Sequence, residues 1–411
     1  MNMKTIILFA FAILLSATTY AQEITPEQKE FVEKVKKLRT EQRAAIKQKD
    51  YVNGAKCCEE ILRLTAALKQ PKQNVETYLG IVKTANRIFN YDLACCYAQL
   101  NKKKEALAAL QRAIDAGYQE YRHLKTDTDL DNIRKDKKFV AMLQSLRKYD
   151  KLVILQGAKD YLKENTDTMP KFTYEMGTKN LNYVREYFKL DSVAGKGDEV
   201  SKIINILNFA HNAIRHNGSN YARVEMDAID LYNYHKATGN GINCRQLAIA
   251  TNEMYLAMGI PSRYVTCLPK DSTDTDCHVI NTVYSKQLGK WIWVDPSFNA
   301  YVKDDKGNFL SINEVRERLR KNLPMVLNED ANWNNEKKQT KEYYLDYYMA
   351  KNLYWIECVV DSRFNPESPY RKNTNKYIGL FPAEGEQNVS KQSYDPRYAV
   401  HTAEYFWQAP E

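Results

Sequence analysis

The sequence predicts an α+β protein in which an all-helical N-terminal region is followed by a mixed domain built on an antiparallel sheet. Three observations carry this. Residues 22–150 are rich in Lys, Glu, Gln, Ala and Leu, with apolar residues at helical spacing and Pro71 as the only proline after Pro26. The texture weakens between about Asn165 and Lys202, where Ala194-Gly195-Lys196-Gly197 has the composition of a loop. Further on, two short runs of β-branched and aromatic residues, 278–284 and 291–295, flank a turn and predict a hairpin.

The chain has 411 residues, with 60 Lys and Arg against 51 Asp and Glu, and 44% of it is hydrophobic. That is enough for several domains, each with its own core, and excludes a disordered or fibrous chain. Basic and acidic residues alternate along most of the sequence instead of forming a stripe, which excludes the electrostatic footprint of a nucleic-acid binder. Met1 to Ala21 has one charge, Lys4, then an apolar run from Ile6 to Leu15 and a small-residue end before Gln22. The pattern predicts a signal peptide cleaved after Ala21, and so a secreted or periplasmic protein without stable membrane insertion.

Within 22–150, Leu93, Ala94, Tyr97, Ala106, Leu110 and Ala113 stand at the packing offsets of a tetratricopeptide repeat, and Gly54, Cys58 and Ile61 repeat the second-helix spacing. The region therefore resembles a short tetratricopeptide array, closed by a helical cap from Asp129-Leu130 to Lys138-Phe139. Such an array is either a groove for a protein partner or a spacer. Eight cysteines in an exported chain invite a disulfide reading, yet Cys57-Cys58 and Cys95-Cys96 are vicinal and sit in helical sequence, where they read as small packing residues. Cys267 and Cys277 fall on or beside neighbouring strands and are compatible with a disulfide.

The second domain, placed at 165–325 and followed by an extension at 326–411, opens with a helix predicted over Ile203–Ile214. Asn243 is a good N-cap for the next helix, and Gln246 completes the spacing of a capping box. Leu247, Thr251, Met254, Tyr255 and Met258 line one face, with Gly259 and Pro261 closing it. Cys244 then falls at the first helical position, where free N–H groups and the helix dipole favour a thiolate. A helix can also simply begin with a cysteine. Arg263–Leu268 predicts a strand. With a hairpin loop at Ser285–Leu288, Tyr284 faces Gly289 and His278 lies directly opposite Asp295, with Cβ atoms roughly 4.5–5.5 Å apart. An Asp in that place can orient an imidazole whose other nitrogen deprotonates a thiol. Periodicity alone does not bring Cys244 to His278.

Gly241-Ile-Asn-Cys244, Gly259-Ile-Pro-Ser-Arg263, His278 opening a strand, and Trp291-Ile-Trp-Val-Asp295-Pro296-Ser297 together resemble the core of the transglutaminase-like superfamily over about Ile203–Ala300. The resemblance implies a papain-like fold with Cys244 as nucleophile, His278 as general base and acid, and Asp295 as orienting carboxylate. It also implies that the Cys244 backbone N–H is one oxyanion donor. Relatives often draw a second donor from an upstream Trp or Gln. Here the first Trp is Trp291 and no Gln lies between Asn165 and Asn243, which leaves Asn212, His216 and Tyr234 as candidates. The histidine strand also departs from the family's usual His-Ala-Trp, reading His278-Val279-Ile280.

Zinc is disfavoured by the lack of Cys-x2-Cys and His-Glu-x2-His pairs, and Gly239-Asn240-Gly241 is too short for a phosphate loop, so no metal or cofactor is expected. Together with the signal peptide, the resemblance implies an exported cysteine peptidase, amidase or acyltransferase acting on peptide or protein amides. The rival expectation is a non-catalytic scaffold that binds through its helical repeats and its tyrosine-rich C-terminal region.

Overall fold

The structure is a computed structural model that describes residues 26–70, 75–163, 169–384, 397–400 and 402–411. The stretch expected to be a signal peptide, Met1 to Ala21, lies outside the described residues. The chain divides into two compact units, Met1–Tyr149 and Asp150–Glu411. Among the described residues no helix is long and apolar enough to cross a membrane.

The first unit is all-helical, with α1 (Pro26–Lys47), α2 (Tyr51–Ala66), α3 (Val75–Gln99), α4 (Lys103–Asp115) and α5 (Lys137–Leu146). The residues at repeat-like spacing form its core: Cys58, Ile61, Leu93, Ala94, Ala106, Leu110 and Ala113 are all buried, and Tyr97 packs against them. Small side chains at these places let consecutive helices approach closely; a Cβ on Gly54 would lie 3.2 Å from Cys96 Sγ. Leu130 and Phe139 of the expected cap are fully buried.

The second unit is a six-stranded sheet with helices packed on it. Its strands are β1 (Ser262–Leu268), β2 (His278–Ser285), β3 (Lys290–Val294), β6 (Trp355–Val359), β7 (Tyr377–Leu380) and β8 (Arg397–Val400). The two-residue strands β4 (Asn332–Trp333) and β5 (Lys337–Lys338) form a separate hairpin. The order across the sheet is β8-β7-β6-β1-β2-β3, antiparallel except for the parallel β7–β8 pair. Three of the six strands therefore come from beyond residue 325, and the predicted 326–411 extension shares one sheet with the domain before it.

Four helices matter to the site: α6 (Glu199–Ala213), α7 (Ala228–Thr238), α8 (Cys244–Ala257) and α9 (Ile312–Arg320). α6 begins four residues earlier than its apolar pattern suggests, because Asp198 caps it by accepting from Ser201 N. α8 is buried on every side from Gln246 to Ala257, not along one face. It lies between the sheet and the helical layer, so its polar side chains are bonded inside the protein. Glu253 accepts from Ala228 N and Asn365 N. Gln246 exchanges two hydrogen bonds with the Ala222 backbone instead of closing the capping box.

The hairpin register differs from the sequence expectation by two residues. Ser285 pairs with Lys290, so the loop is Lys286–Gly289, with Gly289 in the left-handed region at φ 64°. Because strand side chains alternate with a period of two, a two-residue shift leaves His278 and Asp295 on the same face. They meet as diagonal neighbours, not as directly opposed ones.

Candidate active site

Cys244 is placed by a short crossing of two chain segments. His216 and Ile242 form a parallel bridge, closed by Asn217 N to Ile242 O at 2.7 Å and Ile242 N to Arg215 O at 2.9 Å. The approach is so close that a Cβ on Gly241 would stand 2.6 Å from Arg215 O, which is why glycine occupies that position. The chain then turns into α8. Asn243, extended at φ −74° and ψ 170°, caps the helix through Gln246 N, and Cys244 is its first residue. The Cys244 N–H is one of the helix's unpaired donors.

His278 opens β2, and Asp295 follows β3. His278 Nε2 lies 2.7 Å from Asp295 Oδ2, with both side chains buried. The carboxylate also accepts from Tyr344 Oη at 2.5 Å and from Ser297 N at 2.9 Å. This leaves it fully partnered and fixed. The rings of Phe298 and Tyr348 flank the imidazole at 5.5 and 5.2 Å between centroids. With Nε2–H donated to Asp295, Nδ1 is the nitrogen left to exchange a proton with Cys244, and it has no oxygen or nitrogen partner among the described residues.

The imidazoles of His216 and His278 both lie beside the Cys244 thiol and favour its ionised form. Neither His216 Nε2 nor His278 Nδ1 meets strict hydrogen-bond geometry; contacts this loose are usual for catalytic groups before they tighten on a substrate. Burial by itself pushes the thiol upward, but the two imidazoles outweigh it and bring Cys244 down to about 6. Burial likewise pushes His278 down, while Asp295 and the sulfur raise it to about 10. The two directions agree: each partner favours the charged form of the other, thiolate with imidazolium.

Of the three upstream polar candidates, only His216 reaches the cysteine. Asn212 turns to Asn208 O and Asn335, and Tyr234 Oη accepts from Asn220. Sequence reasoning missed Tyr344, which steadies Asp295, and Trp333, whose indole donates to His216 Nδ1 at 2.9 Å. Both come from beyond residue 325. The Tyr343-Tyr344 and Tyr347-Tyr348 spacing was the available signal, since it sets Tyr344 and Tyr348 on one side of a turn. Cys267 and Cys277 are not bonded: Cys267 is buried and pairs with His278 across β1 and β2, and both thiols are free.

Residues 186–296 match the Transglutaminase-like superfamily, and that span holds His216, Cys244, His278 and Asp295. The chain therefore carries a transglutaminase-like domain, next to a helical N-terminal region. Over 93 residues it is 31% identical to a curated chloroplastic protein of Arabidopsis thaliana, a match covering 22% of this chain and 27% of that protein. The chain thus spans about a quarter of the length of this curated relative. No solved structure matches the chain.

Proposed function

We propose that the protein is an exported thiol enzyme that cleaves or transfers peptide-type amide bonds through a thioester on Cys244. The observation that carries the reading is the order of charges at the site. Cys244 faces an imidazole whose far nitrogen is held 2.7 Å from a buried carboxylate, and its thiol is drawn down to about 6. The thiolate attacks the amide carbonyl carbon, and the C=O electron pair moves onto oxygen, where the Cys244 N–H receives it. As the C–N bond breaks, His278 gives its proton to the leaving amine. It then takes a proton from water, or from an acceptor amine, as that nucleophile displaces the sulfur. Asp295 keeps the ring in the required tautomer throughout.

Hydrolysis is the default, because no residue of the site specifies an amine acceptor; peptides, cell-wall peptides and glycoprotein amides are the substrate classes. The helical unit is assigned to a protein partner. The test is acylation with p-nitrophenyl acetate. The expected result is one p-nitrophenolate per chain in a rapid burst, with a hydroxylamine-sensitive acetyl group mapped to Cys244 and absent from Cys244→Ala. No burst and no modified Cys244 would favour the non-catalytic scaffold.

A further inference from the structure

Three hydrogen bonds fix His216 from a segment more than a hundred residues away. The Asn334 side chain grips its backbone at both ends, accepting from His216 N at 2.8 Å and donating to His216 O at 2.9 Å. Trp333 Nε1 lies 2.9 Å from His216 Nδ1. The turn joining β4 to β5 allows this because Asn334 and Asn335 both adopt the left-handed region, at φ 54° and 57°, which asparagine tolerates better than most residues. An indole N–H can only donate, so His216 Nδ1 must be the acceptor and the ring proton sits on Nε2. Nε2 is buried, and the Cys244 side chain is what the ring meets.

His216 and His278 thus flank one sulfur with opposite chemistry. His278 donates its Nε2–H to a carboxylate and turns to the sulfur the nitrogen through which it takes up and gives back a proton. His216 receives an N–H from Trp333 and turns a protonated nitrogen to it. Among the described residues no carboxylate backs His216, so the ring is built to donate there.

We infer that His216 is the second oxyanion donor of the Cys244 reaction, with Trp333 as the positioning residue that sets its tautomer. The inference rests on the thioester reading above. During attack the S–C bond forms, the C=O electron pair moves to oxygen, and negative charge passes from sulfur to that oxygen. The Nε2–H follows the charge and stays bonded to nitrogen, so no proton is transferred. The Cys244 N–H supplies the other donor. A neutral imidazole that polarises a carbonyl oxygen is established enzyme chemistry. The arrangement fills the place for which residues 165–243 offer no Trp or Gln.

Two reactions of the same sulfur separate this role from general damage. Iodoacetamide is displaced at a saturated carbon and builds no oxyanion, whereas acylation by p-nitrophenyl acetate does. Both rates are measured on the full chain at pH 9, where Cys244 is ionised with or without His216. In His216→Ala, acylation is expected to fall roughly 10²- to 10³-fold, with alkylation changed less than about threefold. His216→Gln, whose amide can donate, should acylate within about tenfold of the unaltered protein. Trp333→Phe should slow acylation about two- to tenfold and move the His216 ring ¹⁵N shifts away from the Nε2–H tautomer. Equal losses in both reactions, unchanged acylation in His216→Ala, or a Gln variant as slow as Ala would overturn the assignment alone. An unaltered protein that alkylates but never acylates would overturn the thioester reading, and the assignment with it.

Discussion

The two units of the chain contain the same three residue types in different orders. In the helical unit Cys95 Sγ lies 3.7 Å from Asp127 Oδ2, and His123 Nε2 lies 3.8 Å from the same oxygen. The order is Cys-Asp-His. Burial, and then the facing carboxylate, push the Cys95 thiol far above its ordinary range. In the second unit the order is Cys-His-Asp, and the thiol falls to about 6. A cysteine near a histidine and an aspartate is therefore not a reactive group by proximity. The middle residue decides which charge the sulfur faces.

Interfering with the carboxylate that backs His278, the middle residue of the reactive arrangement, should have the largest effect. Asp295→Asn keeps the shape of the carboxylate but removes the charge and allows the wrong tautomer of His278. Steady-state hydrolysis of p-nitrophenyl acetate should fall roughly 10²- to 10⁴-fold. The structural hydrogen bond behind it matters less. Tyr344→Phe removes one donor from Asp295 Oδ2 and leaves His278 and Ser297 N in place. The same rate should drop about three- to thirtyfold, with the fold retained by circular dichroism. The smallest effect is expected in the helical unit. Asp127→Asn removes the charge facing Cys95 but not its burial, which is the larger cause of its raised pKa. Peptide mapping after iodoacetamide at pH 7 should still find Cys95 unmodified.

How far the site was legible follows from the range of each interaction. Cys244, His278 and Asp295 stand at element ends that sequence marks well: an N-cap, the start of a strand and the end of a hairpin. The misplaced hairpin loop did no harm, because an even slip in register preserves the face. An odd slip would have sent His278 and Asp295 to opposite sides. His216 was one of three candidates because nothing local distinguishes it. Its partner Trp333 is 117 residues away, and Tyr344 is 49 from Asp295. Such contacts depend on how the chain after residue 325 returns to the sheet, which apolar periodicity does not encode. For the same reason the aromatic C-terminal segment read as an addition to the domain, although it contributes β6, β7 and β8.

The most direct measurement is the pH dependence of Cys244 alkylation by iodoacetamide, followed by peptide mass spectrometry from pH 4.5 to 9.5. A thiol drawn down to about 6 should lose reactivity about tenfold per pH unit below that value and be nearly constant above it. Replacing His278 by Ala removes the base and the cation, and the inflection should move up towards the free-thiol value of about 8.5. At pH 6.5 that shift corresponds to a loss on the order of fiftyfold or more. Cys58 and Cys95, held above their ordinary range by burial and Asp92 or Asp127, should stay unmodified across the range. A Cys244 inflection near 8.5 that ignores the His278 substitution would contradict the account.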